Sequence, residues 1–217
     1  MIKSNSFQRV VAMTNDFKIR LINLNDAEAT LDVYRPYVEN TIITFEYDVP
    51  GLSEWKTRIK TNTSEYPWLV CEYQKNIIGY AYGSKHRYRT AYSWSPESTV
   101  YLSDKFHRLG IASVLYKTLF ELLRLQGYVN VYAGVTLPNV KSEEFHLALG
   151  FYEVGIFKKI GFKFGSWHDT RWFQLHLVEH PDNPNKPKAL NEIENTPDFN
   201  SILQRANLRL TSSRKSI

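Results

Sequence analysis

Glu97-Ser98-Thr99-Val100-Tyr101-Leu102, then His107-Arg108-Leu109-Gly110-Ile111-Ala112, then an amphipathic run closed by Gly127, form the stretch whose reading decides the fold. The order is strand, short Gly-containing loop, helix. Apolar residues at Ile111, Val114, Leu115, Leu119, Leu122 and Leu125 put one helix face in a core. Gly127 tolerates the left-handed cap that ends such a helix. A loop that runs into a helix N-terminus carries backbone N–H groups with no partner inside the helix. The aligned peptide dipoles add partial positive charge there, so a phosphate or pyrophosphate suits the place.

Working outward, Val129, Val131, Ala133 and Val135 alternate as a strand after the helix, which gives a strand-helix-strand unit with a parallel pair and a right-handed crossover. A second helix is predicted over 140–149, preceded by Leu137-Pro138-Asn139 and stopped by Gly150. Strands follow around Phe151–Phe157 and from Asp169 to Val178. Upstream, Phe17, Ile19 and Leu21 read as a half-buried strand, and Asp26 as the cap of a helix that Pro36 kinks or stops early. Ser53 is read as the cap of a further helix to about Tyr66. The runs Trp68–Tyr73 and Ile77–Ser84 read as a hairpin with a three-residue loop.

Composition narrows the class. The chain has 217 residues, 43% of them hydrophobic, with 14 Tyr, 12 Phe and 5 Trp, which is globular rather than disordered. One domain over 17–180 is expected, with a lead-in over 1–16 and a tail over 181–217, rich in Pro, Asn, Lys and Ser, that is mostly disordered or loosely docked. No apolar run of about 18 residues occurs, and the N-terminal apolar patch is short for a signal peptide, so no membrane partner and a cytoplasmic location are expected. The lone Cys71 agrees with a reducing compartment and reads as a packed thiol. The net charge of +5 is scattered along the chain, which does not favour nucleic acid. Neither a His-Glu-x-x-His set nor paired Cys/His sets occur, so no metal is expected.

Two further stretches carry side chains suited to a ligand. Lys85 to Trp94 interleaves Arg87 and Arg89 with Tyr88 and Tyr92. A planar arginine fork there matches a small carboxylate, or else the charges are exposed on a loop. The segment from Asn40 to Tyr47, including Thr44 and Phe45, either lines a pocket or simply packs.

His107-Arg108-Leu109-Gly110-Ile111-Ala112 resembles the Gln/Arg-x-x-Gly-x-Gly/Ala signature of the GCN5-related N-acetyltransferases (GNAT), with His107 in place of the usual Gln or Arg. Within that superfamily the chain is similar to the phosphinothricin and methionine sulfone type. The resemblance rests on Asn40–Glu46, Arg89–Tyr101, Leu137–Asn139 with His146–Phe151, and Gly161–Asp169. It implies a mixed α/β fold with a central, mostly antiparallel twisted sheet, a parallel pair at the acetyl-CoA site and flanking helices. The implied activity moves acetyl from acetyl-CoA to the amine of a small amino-acid-like acceptor by direct transfer, in a homodimer whose pocket borrows residues around Thr44 and Phe45 from the partner.

The resemblance also assigns roles. Glu97 is the general base, or else a carboxylate that pairs with Arg89. Val100, Tyr101 and Leu102 bind the cofactor, with a backbone N–H near Val100 or Tyr101 facing the thioester oxygen. His107, Arg108, Leu109, Gly110, Ile111 and Ala112 hold pyrophosphate, and Asn139 binds the pantetheine or phosphate arm, caps a helix, or does both. His146 acts as acid, as part of a base relay, or only packs. Arg87 or Arg89, Tyr92, Thr44 and Phe45 contact the acceptor. Acetylation of protein N-termini or polyamines, a non-catalytic acyl-CoA-binding module, and RNA binding through the basic aromatic stretch are the competing readings.

Overall fold

The computed structural model describes residues 17–212; the lead-in expected over 1–16 lies outside them. In chain order the elements are β1 (Phe17–Leu21), α1 (Ala27–Asn40), α2 (Leu52–Asn62), β2 (Trp68–Tyr73), β3 (Asn76–Ser84), β4 (Glu97–Leu102), α3 (Ile111–Gln126), β5 (Asn130–Thr136), α4 (Val140–Ala148), β6 (Tyr152–Lys163), β7 (Ser166–His176), α5 (Leu190–Ile193) and α6 (Pro197–Ser212). The strands form one sheet in the order β1-β2-β3-β4-β5-β7-β6. Every neighbouring pair is antiparallel except β4 and β5. The mixed sheet with one parallel pair is the arrangement expected from the sequence.

Strand alternation sorts the side chains onto two faces. Trp68, Val70 and Tyr80 point to one face and pack under Leu31, Tyr34 and Val38 of α1 and Trp55 and Ile59 of α2. Leu69, Cys71, Ala81, Val131 and Phe173 point to the other, where α3 lays down Leu115, Leu119, Leu122 and Leu123. Those four leucines are fully buried, and each contributes roughly 1.5–3 kcal/mol of transfer free energy. Cys71 is a packed side chain on that face. Gly127 at φ 97° ends α3, with Tyr128 N–H donating to Leu123 O at 3.0 Å, the closure of a Schellman cap.

Several local expectations need correction. Pro36 lies inside α1, which runs on to Asn40. Its ring is on the exposed side, so water can serve the carbonyl that loses its partner. Gly51, not Ser53, is the N-cap of α2, and the helix ends at Asn62. The β2–β3 connection is a two-residue turn, Gln74 (φ 50°) and Lys75 (φ 65°), with Asn76 already paired to Tyr73; two left-handed residues match the strand twist.

The largest correction concerns 181–217. Within it α5 and α6 are packed structure, not a loose tail. Phe199, Ile202, Ala206 and Leu210 of α6 are buried in the core beside α3. Asn207 lies across β1, accepting from Ile19 N–H at 2.7 Å and donating to Ile19 O at 3.1 Å. Glu121 of α3 pairs with Arg205 and Arg209, both at 2.6 Å. The spacing of three, four and four residues is the apolar stripe of a helix, and burying it outweighs the polar composition of its outer face.

Candidate active site

The parallel pair is short. Tyr132 N–H donates to Pro96 O at 2.9 Å, and β4 registers with β5 at Glu97↔Tyr132 alone. Beyond that pair Val100, Tyr101 and Leu102 diverge from Ala133–Thr136. N–H and C=O groups alternate sides along a strand, so part of the β4 backbone past Glu97 faces the divergence rather than a ladder partner. Next to this opening are two buried side-chain atoms without a protein partner, Trp172 Nε1, a donor, and His146 Nε2. They belong to opposite faces of the sheet.

At the far end of β4 the chain turns into the anion-type loop. Arg108 (φ 62°) and Gly110 (φ 75°) are both left-handed, Gly110 is the N-cap of α3, and no side chain caps the helix. A Cβ at Gly110 would meet nothing within 4 Å, so its backbone is approachable. His107 fastens the loop: its Nε2 donates to Leu102 O at 2.9 Å, an oxygen that also accepts from Tyr37 OH at 2.5 Å. The residue that departs from the signature thus ties the loop to β4. Backbone amides at the start of α3 and the Arg108 guanidinium remain for a pyrophosphate. Leu109 is exposed, whereas Ile111 anchors the first turn in the core. These features fit acetyl-CoA, an extended thioester with a pyrophosphate at one end.

Glu97 opens β4 on the α1 side of the sheet. Its Oε1 lies 2.6 Å from His86 Nδ1, so its partner is His86 rather than Arg89. The His86 ring stacks on Tyr132 at 5.1 Å and meets Trp172 edge-on at 5.4 Å. Arg87 Nε donates to His86 Nε2 at 3.3 Å, and its guanidinium sits 5.7 Å over the Tyr92 ring. His86, Arg87, Tyr88 and Tyr92 line a cavity of about 720 Å³ with Tyr128 and Lys186. Arg89 is exposed at the start of a short turn that includes Tyr92. Sequence reasoning missed His86: a histidine in a basic stretch carries no signal until the fold brings residues 86 and 97 together.

Thr44 and Phe45 sit where the 41–50 loop meets the β6–β7 hairpin. Thr44 Oγ1 is 2.6 Å from Tyr34 OH, and Phe45 stacks on His168 at 6.4 Å. Lys163, 1% exposed, donates from Nζ to Val38 O at 2.8 Å and Thr44 O at 2.9 Å, and burial pulls its ammonium pKa below the usual lysine value. Glu46 pairs with Arg58 at 2.5 Å behind this loop. A lysine ending a strand reads as solvated in sequence, so this clamp was not foreseen.

His146 is 4% exposed on α4, on the α3 side of the sheet and away from Glu97. It stacks on Phe173 at 5.6 Å and meets Phe151 edge-on at 5.1 Å. Its Nδ1–H donates to Ser142 O at 2.7 Å, and burial holds its pKa below the usual histidine value. The ring is therefore neutral near pH 7, with Nε2 an acceptor. Asn139 caps α4, its side chain accepting from Ser142 N–H at 3.2 Å. Among the described residues no group of His, Cys, Asp or Glu gathers as a metal site, and no helix is long and apolar enough to cross a membrane.

The sheet thus opens at one parallel pair, with an amide-rich helix start at the end of the opened strand and a carboxylate at the hinge. The model of the acetyltransferase (GNAT) domain matches residues 19–172, so the chain belongs to the GNAT family and is an acetyl-CoA-dependent N-acetyltransferase. It is 34% identical over 171 residues to phosphinothricin N-acetyltransferase of Streptomyces viridochromogenes, covering 78% of this chain and 93% of that one. The L-methionine sulfoximine/L-methionine sulfone acetyltransferase of Pseudomonas aeruginosa is 29% identical, covering 73% and 94%. In three dimensions the chain is similar to a phosphinothricin acetyltransferase from Sinorhizobium meliloti in complex with acetyl-CoA, with TM-score 0.75, 32% identity and coverage of 79% and 94%.

Proposed function

We propose that this enzyme acetylates the α-amine of a small amino-acid-like acceptor, of the phosphinothricin, methionine sulfone or methionine sulfoximine class, by direct transfer in a ternary complex. The observation that carries the reading is Glu97 at the point where β4 and β5 part, with Arg87 reached through one intervening histidine. An α-amino acid presents an ammonium and a carboxylate one carbon apart, which suits a carboxylate and an arginine set on either side of one imidazole ring.

In the proposed reaction Glu97 takes a proton from the acceptor ammonium, directly or through one water. The freed amine attacks the thioester carbon, the C–N bond forms, the C–S bond breaks and the proton left in excess on nitrogen passes to solvent. A backbone N–H near Val100 or Tyr101 faces the oxygen that gains charge. The thiolate leaves as CoA and takes a proton from solvent, since His146 offers Nδ1–H to Ser142 O and carries none on Nε2. Arg108, Gly110 and their neighbours hold the pyrophosphate, with Asn139 beside the pantetheine arm. Tyr92, Arg89, Thr44 and Phe45 complete the acceptor side.

We place the enzyme in the cytoplasm, where a buried thiol such as Cys71 stays reduced, without nucleic acid or membrane partners. A homodimer is supported by the exposed apolar residues Val154, Phe157, Ile160, Phe162 and Trp167 on the outermost hairpin.

The test is CoA thiol release from acetyl-CoA against a panel of amino acids, polyamines and N-terminal peptides. Turnover confined to amino acids of the named class is expected, and Glu97→Gln should lower it about 10²-fold or more. Preference for a polyamine or peptide would overturn the acceptor class, and an unchanged Glu97→Gln rate would remove Glu97 as base.

A further inference from the structure

We propose that His86 is the positioning residue of the catalytic carboxylate: it fixes Glu97 by one oxygen, leaves the other for the acceptor, and couples Glu97 to the arginine that recognises the acceptor's carboxylate. The inference rests on Glu97 as base and extends that reading to a residue outside the family signature.

Hydrogen-bond polarity sets the tautomer. A guanidinium N–H only donates, so the 3.3 Å contact from Arg87 Nε makes His86 Nε2 an acceptor. The ring proton then lies on Nδ1, and the 2.6 Å contact to Glu97 Oε1 is an N–H donated to a carboxylate. Oε1 is thereby committed, and Oε2 is the atom left to receive the acceptor's proton. The Glu97 side chain is 31% exposed and His86 only 14%, so the carboxylate is reachable while its holder is enclosed.

Packing holds the ring in that orientation. Tyr132, stacked on His86, is the β5 residue in register with Glu97, and Trp172 closes the edge. Base and holder are therefore referenced to the same strand hinge. His86 does not accept the proton that reaches Glu97, because Nδ1 already carries one and Nε2 faces a cation. Its function is orientation.

Arg87 spends only Nε on His86, and its two terminal nitrogens remain for the planar fork a carboxylate needs. An acceptor carboxylate held there is linked to Glu97 by three hydrogen bonds in series: its own to Arg87, Arg87 to His86 and His86 to Glu97. The arrangement selects α-amino acids over simple amines by placement rather than by affinity.

The test compares His86→Phe, which keeps an aromatic ring between Tyr132 and Trp172, with His86→Asn, whose side-chain N–H stands near the place of Nδ1–H. With acetyl-CoA and L-methionine sulfone or L-phosphinothricin, His86→Phe should lower kcat/KM for the acceptor about tenfold or more. It should leave the KM for acetyl-CoA unchanged. His86→Asn should recover most of the rate. A wild-type rate in His86→Phe, beside an inactive Glu97→Gln, overturns the inference alone; a wild-type rate in Glu97→Gln overturns the base reading and the inference with it. Independently of activity, long-range proton–nitrogen spectra should show one histidine, absent from His86→Phe, protonated at Nδ1. Protonation at Nε2 overturns the inference.

Discussion

The ring of Phe45 lies against the backbone of Gly161, so that a Cβ added at Gly161 would overlap its edge carbons. This contact seats the 41–50 loop under the β6–β7 hairpin, whose register shifts between Phe157 and Gly161 to let β6 bend. Gly161→Ala forces Phe45 away from His168. A loss of about 1–3 kcal/mol in chemical denaturation is expected from overpacking. Because the loop belongs to the proposed acceptor side, the KM for the acceptor should rise more than the KM for acetyl-CoA. Equal rises in both would show that this loop does not shape the acceptor pocket.

His146 gives the protein a pH signature. Its folded pKa is lowered by burial, whereas the unfolded chain has an ordinary histidine. Above pH about 6.5 both states are neutral at this residue and it contributes no slope. As pH falls below that value the unfolded chain takes up a proton that the folded chain refuses until its own lower pKa, so stability declines with acidity. His146→Gln should therefore show a smaller fall in Tm between pH 7 and pH 5 than the parent. Parallel curves for the two proteins would contradict a neutral buried imidazole.

Asn207 is the polar anchor of the last helix. Its amide meets both the N–H and the C=O of Ile19, and Asn207→Ala leaves those two groups without their partners. A loss of about 1–3 kcal/mol follows if they stay dry, with faster hydrogen exchange at the Ile19 amide. Removing the chain after His180 also strips Phe199, Ile202, Ala206 and Leu210 from the core. That truncation should give aggregated protein or lose cooperative unfolding; a monomeric, cooperative, active truncation would contradict the packing.

What could be read from the chain follows from what each signal measures. The β4–loop–α3 unit was legible because alternation, a Gly-containing turn and a long apolar stripe agree locally. The last helix was not, because its buried stripe includes Ala206, small enough to escape notice, among Asn, Arg and Ser residues. Pro36 misled because the rule against proline describes a lost hydrogen bond, and an exposed helix face lets water replace it. The Glu97–His86 pair was invisible for another reason: eleven residues and an irregular loop separate the two, and no periodicity relates them. Lys163 was likewise hidden, since its partners Val38 and Thr44 are backbone carbonyls, whose positions composition does not encode.

The placement of Asn207 across Ile19 bears on how copies of this chain can meet. A sheet has two borders, and an open border invites another strand. Here the β1 border is occupied by the chain's own amide, while β6 lines the opposite border with apolar side chains exposed. Were copies to join, β6 to β6 is the pairing this leaves open, and such a pair would offer no further apolar border. The same amide that fastens the last helix thus also guards one border of the sheet at Ile19.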